Sequence, residues 1–159
     1  MAENTGMHGQ ICWFEVPVTS VSRAAAFYTA VLGWNCDVEA KPSPAVGISS
    51  VHMFSKGALH GAFLLVADED AVAKIADPKR PEVSGPVATF MVSNIDETLK
   101  KVEAAGGKSH MYVILSSLLP FNPYADFVNS PKTEIGGGMG VFARFTDTEG
   151  NLQGLWAKE

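Results

Sequence analysis

Trp13-Phe14-Glu15 is the first place in this 159-residue chain where residue types and spacing point to chemistry. It lies in ICWFEVPVTSVSRAAAFYTAVLGW, Ile11 to Trp34, which reads as a strand, a short turn and an amphipathic helix. Side chains alternate along a strand, so Ile11, Trp13, Glu15 and Pro17 share one face and Cys12, Phe14, Val16 and Val18 the other. The second set is uniformly apolar and is suited to pack on the helix. The first mixes an indole, a carboxylate and a ring, which a purely structural face does not call for. A carboxylate flanked by indoles costs free energy unless it is paired or hydrated. Desolvation of that kind suits it to act as a general base. Glu15 is therefore the candidate catalytic residue, with Arg144 as its counter-ion if that strand turns the guanidinium inward.

Other chemical motifs are weaker. Gly136-Gly137-Gly138 lacks the preceding strand and following helix that a phosphate loop needs, and reads as a turn. Asp147-Thr148-Glu149-Gly150-Asn151 has the look of an acidic cation loop but reads as a tight turn, with Gly150 supplying a positive φ. Cys12 and Cys36 have no metal-ligand spacing and read as buried free thiols.

The elements that carry these residues come in two similar runs. The first strand covers about residues 10–18. Ser20 is placed to cap a helix over Val21–Leu32, in which Ala24, Phe27, Tyr28 and Val31 share a face, and Gly33 supplies the stop. Strands are expected at Trp34–Glu39, Ile48–Phe54 and Leu59–Val66, giving the order β-α-β-β-β. Residues 67–86 turn to charge and proline and read as a linker. The pattern then restarts, with a strand at Val87–Val92, a helix capped by Asn94 or Asp96 and stopped at Gly106-Gly107, and strands at Gly140–Thr146 and Leu152–Trp156. Two runs of like order about 75 residues apart imply an internal duplication. The first module is then 10–66 and the second 87–157.

One segment breaks the match. From Ser109 to about Ser130 the chain reads SHMYVILSSLLPFNPYADFVNS, apolar and without a sustained period. Removing it leaves GGK-PKTEI, a seamless strand. It reads as a surface insertion that packs as a lid or a dimer arm, or as translated intron sequence.

A net charge of −5 and a pI near 5.3 argue against nucleic acid, because phosphate binding needs a basic surface. With 47% apolar residues, the chain suits one compact globular protein. No stretch approaches the roughly 20 apolar residues of a membrane span, and Met1 to Gln10 does not resemble a signal peptide. A soluble, cytoplasmic protein is the expectation.

FEVPVTSVSRAAAFYTAVLGW near the start, FTDTEGNLQGLW near the end and the duplicated β-α-β-β-β order together resemble the vicinal oxygen chelate superfamily, the glyoxalase, bleomycin resistance protein and extradiol dioxygenase fold. The resemblance spans the chain as a single glyoxalase-like domain, apart from the tail and the insertion. It implies an α+β fold of two βαβββ modules whose curled mixed sheets enclose a concave cavity, and it implies a homodimer. Metal enzymes of that superfamily take ligands from the start of strand one and from the last strand of each module. Here those positions fall on Trp13, Val87 and Gly154, none of which offers the N, O or S donor a divalent metal needs. No metal cofactor is expected on that basis. The resemblance places Trp13, Glu15, Thr89, Met91 and Trp156 on the concave face, with His60 and Arg144 near it. Apolar walls with a few polar groups are the make-up of a small-molecule pocket. The leading expectation is thus a binder of a small, partly apolar organic molecule, or a metal-independent enzyme using Glu15. The rivals are a metal-dependent lyase or dioxygenase with a displaced site on Glu15, His52 and His60, and a non-catalytic stress or partner-binding protein with a filled pocket.

Overall fold

The structure is a computed structural model, which describes residues 11, 13–43, 47–67, 87–110, 112–114, 128–130, 132–135 and 137–158. The chain divides into two compact units, residues 1–71 and 72–159. The division falls among the residues read as linker, and 68–86 lie outside the described set, as does Cys12.

The first unit runs β1 (Phe14–Val18), α1 (Val21–Leu32), β2 (Asn35–Cys36), β3 (Ile48–Lys56) and β4 (Leu59–Val66). Its helix starts and stops where the sequence requires. The Ser20 hydroxyl accepts from the Arg23 amide, covering one of the amides that a helix start leaves free. Gly33 takes φ 65°, and the amides of Gly33 and Trp34 donate to the carbonyls of Thr29 and Tyr28. This paired pattern closes the helix end and turns Trp34 back onto it. The sheet order is β1-β4-β3-β2, with β1 parallel to β4 and the remaining pairs antiparallel. Val16 and Val18 face α1 and are buried. The core is aromatic: Trp34 stacks between Tyr28 and Phe54, with ring centroids 4.2 and 4.3 Å away. Phe63 closes the cluster. Gly61 is fixed by that packing, because a Cβ there would run into the Phe14 carbonyl and the Phe54 ring.

The second unit repeats the plan. It runs β5 (Thr89–Met91), α2 (Ile95–Ala104), β6 (Lys108–Ser109), β7 (Tyr112–Ile114), β8 (Val128–Ser130), β9 (Lys132–Glu134), β10 (Val141–Thr146) and β11 (Leu152–Ala157). Of the two expected caps it is Asn94 that serves, accepting from the Glu97 amide at 2.8 Å. The sheet order is β5-β11-β10-β6, with β9 also on β10. Ile95, Leu99 and Val102 of α2 are buried, as are Val141, Ala143, Phe145 and Leu155 of the sheet. Among the described residues the architecture is α+β, two helices with mixed sheets of four and five strands and the two-stranded β7-β8.

Two expectations about the edge strands change. The strand expected over Trp34–Glu39 is a ladder at Asn35–Cys36, extended by the Asp37 amide donating to the Met53 carbonyl, and returns as a single bridge at Lys41. The stretch read as lacking a sustained period carries short strands near both of its ends. β7 and β8 pair antiparallel, Tyr112 opposite Ser130, while 115–127 lie outside the described residues. The edge it leaves is continuous. The His110 amide donates to the Arg144 carbonyl, and Lys132 pairs with Ala143, the very next rung of β10.

Candidate functional site

Which face each side chain takes follows from strand register. In the first unit, Val16, Phe63 and His52 form one transverse row on the α1 side, and Glu15, Ala62 and Met53 form the next row on the opposite, open side. Glu15 is exposed there. The Trp13 indole, also on that side, donates to its Oε1 at 3.3 Å. The expected desolvation of Glu15 is therefore not met: the carboxylate is exposed and accepts from an indole N–H. His60, opposite Ser55, lies on the same open face and is exposed. His52 does not. It is 6% exposed on the core side, with Nδ1 2.9 Å from the Val38 carbonyl and Nε2 2.8 Å from the Ser50 hydroxyl. A carbonyl only accepts, so Nδ1 carries the proton and Nε2 takes the hydroxyl's. His52 is a satisfied core histidine, and the displaced donor set of Glu15, His52 and His60 is split across the sheet.

In the second unit β10 alternates in the same way. Val141, Ala143 and Phe145 are buried against α2, leaving Phe142, Arg144 and Thr146 half-buried on the open face. Neighbouring strands bring two rows together there. Thr89, Gly154, Arg144 and His110 form the first, across β5, β11, β10 and the residue that follows β6. Met91, Trp156, Phe142 and Thr133 form the second. Adjacent strands are about 4.8 Å apart and rows two residues apart about 7 Å. The result is a polar strip beside an apolar one. The Trp156 indole is tied back by donating to the Met139 carbonyl at 3.0 Å.

Thr89, Met91, Arg144 and Trp156 thus share one face of one sheet. Trp13, Glu15 and His60 share one face of the other. His110 was not singled out from sequence, since it stands at the start of the stretch read as an insertion. The signal was available in the duplication. The Asp37 amide donates to Met53 as the His110 amide does to Arg144, so the two residues are equivalent. Phe142 was missed too, although simple alternation from Arg144 identifies it. His110 is hydrogen-bonded through Nε2 to the Thr146 hydroxyl. Burial, and after it the Arg144 guanidinium, holds its pKa below the ordinary histidine value.

Residues 10–154 match the Glyoxalase/Bleomycin resistance protein/Dioxygenase superfamily. The chain belongs to that superfamily. A glyoxylase-like domain-containing protein of Didymella fabae is 28% identical over 150 residues, covering 94% of each chain. Among solved structures, the fosfomycin resistance protein FosX of Listeria monocytogenes, solved with Mn(II) and 1S,2S-dihydroxypropylphosphonic acid, matches with a TM-score of 0.60 at 14% identity. That match covers 95% of this chain and 91% of FosX. TnmS3, an antibiotic binding protein from Streptomyces sp. CB03234, matches with a TM-score of 0.52 at 16% identity, over 94% of this chain and 95% of its own. At these identities the structures share the fold.

The fit of a metal ion to this glyoxalase-superfamily chain can be tested at the positions where the resemblance puts ligands. Trp13 and Val87 each stand seven residues before their helix caps, Ser20 and Asn94, and carry no donor suited to a metal. At Gly154 the space for a side chain is taken: a Cβ built there would lie inside van der Waals contact distance of Thr89 Oγ1. Among the described residues no three His, Cys, Asp or Glu side chains come together in a way that could hold an ion. The residues present at these positions do not fit a metal. The DTEGN turn is likewise spoken for, since the buried Asp147 carboxylate accepts from the amides of Glu149 and Asn151 and from the Asn151 side chain. Among the described residues no helix is long and apolar enough to cross a membrane.

Proposed function

We propose that this superfamily member binds a small, partly apolar organic molecule on the open face of its second sheet, without a metal ion. The observation that carries the reading is the pairing of a polar row with an apolar one on that face. One guanidinium and one hydroxyl lie beside a strip of Met91, Trp156 and Phe142. Apolar area supplies affinity in such sites and a few polar groups fix orientation. That FosX was solved with a small phosphonic acid, and that TnmS3 is an antibiotic binding protein, is consistent with this use of the fold.

Glu15 occupies the equivalent position to Thr89, each five residues before its helix cap. On the open face of the first sheet it is the group suited to proton transfer, and the Trp13 indole donates to it. Glu15→Gln keeps the shape and removes the base. It is expected to abolish turnover of any substrate found while the Tm stays within a few degrees of the parent, as for surface substitutions generally. Unchanged activity in that variant would remove Glu15 from the mechanism.

The binding reading is tested by tryptophan fluorescence across a panel of small organic acids, alcohols and amides, with chelator present throughout. Trp156 should report, so the signal should vanish in Trp156→Phe while the core indole of Trp34 still fluoresces. Arg144→Gln should weaken binding of charged panel members by about tenfold, the scale of one charge-assisted hydrogen bond. If no panel member changes the emission, or if binding appears only when divalent metal is supplied, the reading fails. A homodimer, as the superfamily resemblance implies, is checked by sedimentation velocity.

A further inference from the structure

Binding on the open face of the second sheet leaves the charge of the ligand open, and the surroundings of His110 bear on it; an assignment of that charge rests on the binding reading. His110 stands directly across from Arg144 on the open face, and its amide donates to the Arg144 carbonyl at 2.9 Å. Its ring is half-buried and reaches Thr146, diagonally placed on the same strand as Arg144. Two cationic side chains share its face. Arg144 faces it from β10, and Lys108, paired with Thr146, faces the same way from its own strand. Glu103 of α2 is engaged on the other side of the sheet by the Ser109 hydroxyl, at 2.5 Å. Lys132 of β9 is held by Asp96 at 2.6 Å. No carboxylate hydrogen-bonds His110 among the described residues.

We propose that the ligand of this face carries a carboxylate, or another anion of that size, seated between Arg144 and His110, and that His110 takes up one proton from solvent as the anion arrives. The physical reason is reciprocal. In the free protein a guanidinium beside a half-buried imidazole opposes its protonation. An anion set between the two cancels that opposition and rewards a second positive charge. The imidazole's proton affinity is therefore higher in the complex than in the free chain. Linkage then gives the sign: affinity rises as pH falls through the histidine's range in the complex, and levels off below its range in the free protein. The rest of the ligand is set by the neighbouring strip. Met91, Trp156 and Phe142 lie one row away, about 7 Å along the strands. This spacing suits an acid whose ring or alkyl group stands a few bonds from its carboxylate.

The experiment is titration calorimetry of the full chain, with chelator, using phenylacetate, phenylpropionate and the neutral phenylacetamide. The acids should bind and the amide should bind at least about tenfold more weakly, the scale of a charge-assisted bond. Affinity for the acids should rise about tenfold between about pH 8 and about pH 5.5. Heats measured in two buffers of different ionisation enthalpy should report net proton uptake, averaging about 0.4 proton over that range for a tenfold change. His110→Gln should bind the acids with a flat pH profile and no proton uptake, whereas Arg144→Gln should bind them weakly at every pH. The wild-type buffer comparison stands even if a variant folds poorly. Equal binding of acid and amide, or an acid affinity indifferent to pH with no proton taken up, overturns this proposal and leaves binding on the open face intact. Silence from the whole fluorescence panel overturns the binding reading itself.

Discussion

Gly154 is one of three positions where the resemblance expects a metal ligand and this chain has no suited donor. The resemblance expects a carboxylate there, and the sequence shows only that it is missing. The structure adds that Thr89 leans into the vacated space. Restoring a side chain is then not a neutral act. Gly154→Ala should destabilise the protein by about 1–3 kcal/mol, the usual cost of overpacking. Thr89→Ala in the same chain should recover part of that loss, read as the midpoint of urea unfolding. Equal midpoints for the parent and Gly154→Ala would show the space to be open. Cys36 gives a second test at this scale. Its thiol is half-buried rather than buried, burial raises its pKa, and a hydrogen bond from Thr29 Oγ1 lowers it by less. A raised pKa means less thiolate at neutral pH. Alkylation by iodoacetamide should therefore be slow near neutrality and climb with alkaline pH, and Thr29→Val should slow it further. What sequence could not supply at this scale is solvent. Alternation correctly put Glu15 on the open face with Trp13, but whether that face is dry depends on neighbours that no local pattern contains.

At the scale of elements, the helices were legible almost to the residue, because their ends are written in local chemistry. Ser20, Gly33 and Asn94 each act through backbone groups within a few positions. Asn94→Ala should accordingly cost about 1 kcal/mol, the usual worth of such a cap, seen as a lower Tm without loss of helical circular dichroism below the transition. The edge strands were less legible, since an edge is defined by its partner and not by its own composition. The duplication recovers what the pattern hid. In the first unit Asp37 and Lys41 meet β3 two rungs apart, with three residues between them. In the second unit His110 and Thr133 meet β10 two rungs apart, with twenty-two residues between them. Extra length at an edge adds little closure entropy and few core contacts. Replacing residues 111–131 by two residues, with Lys132 kept, restores the shorter spacing. That chain should fold with the far-ultraviolet spectrum of the parent and a Tm within a few degrees. Its failure to fold would show that the segment is part of the unit's core and not an insertion into its edge.

Across the whole molecule the two units keep one frame and change its open face. The row of Glu15, Ala62, Met53 and Asp37 in the first corresponds to Thr89, Gly154, Arg144 and His110 in the second. Duplication fixes caps, core and strand order, because all three are needed for either unit to fold. The open face is under no such constraint, and one copy has become acidic where the other is basic. That divergence sets the test that matters most for the chain as a whole. A ligand that binds only the native state raises the Tm in proportion to the logarithm of its concentration over Kd. Phenylacetate should therefore raise the Tm in the presence of EDTA, and EDTA alone should leave it unchanged. Ni(II), Mn(II) or Zn(II) at micromolar concentration should not raise it. A shift of several degrees with one of these ions, lost in Glu15→Gln or His60→Ala, would place a metal on the two donors that share the first sheet's open face. The chemistry of the protein would then rest on that pair.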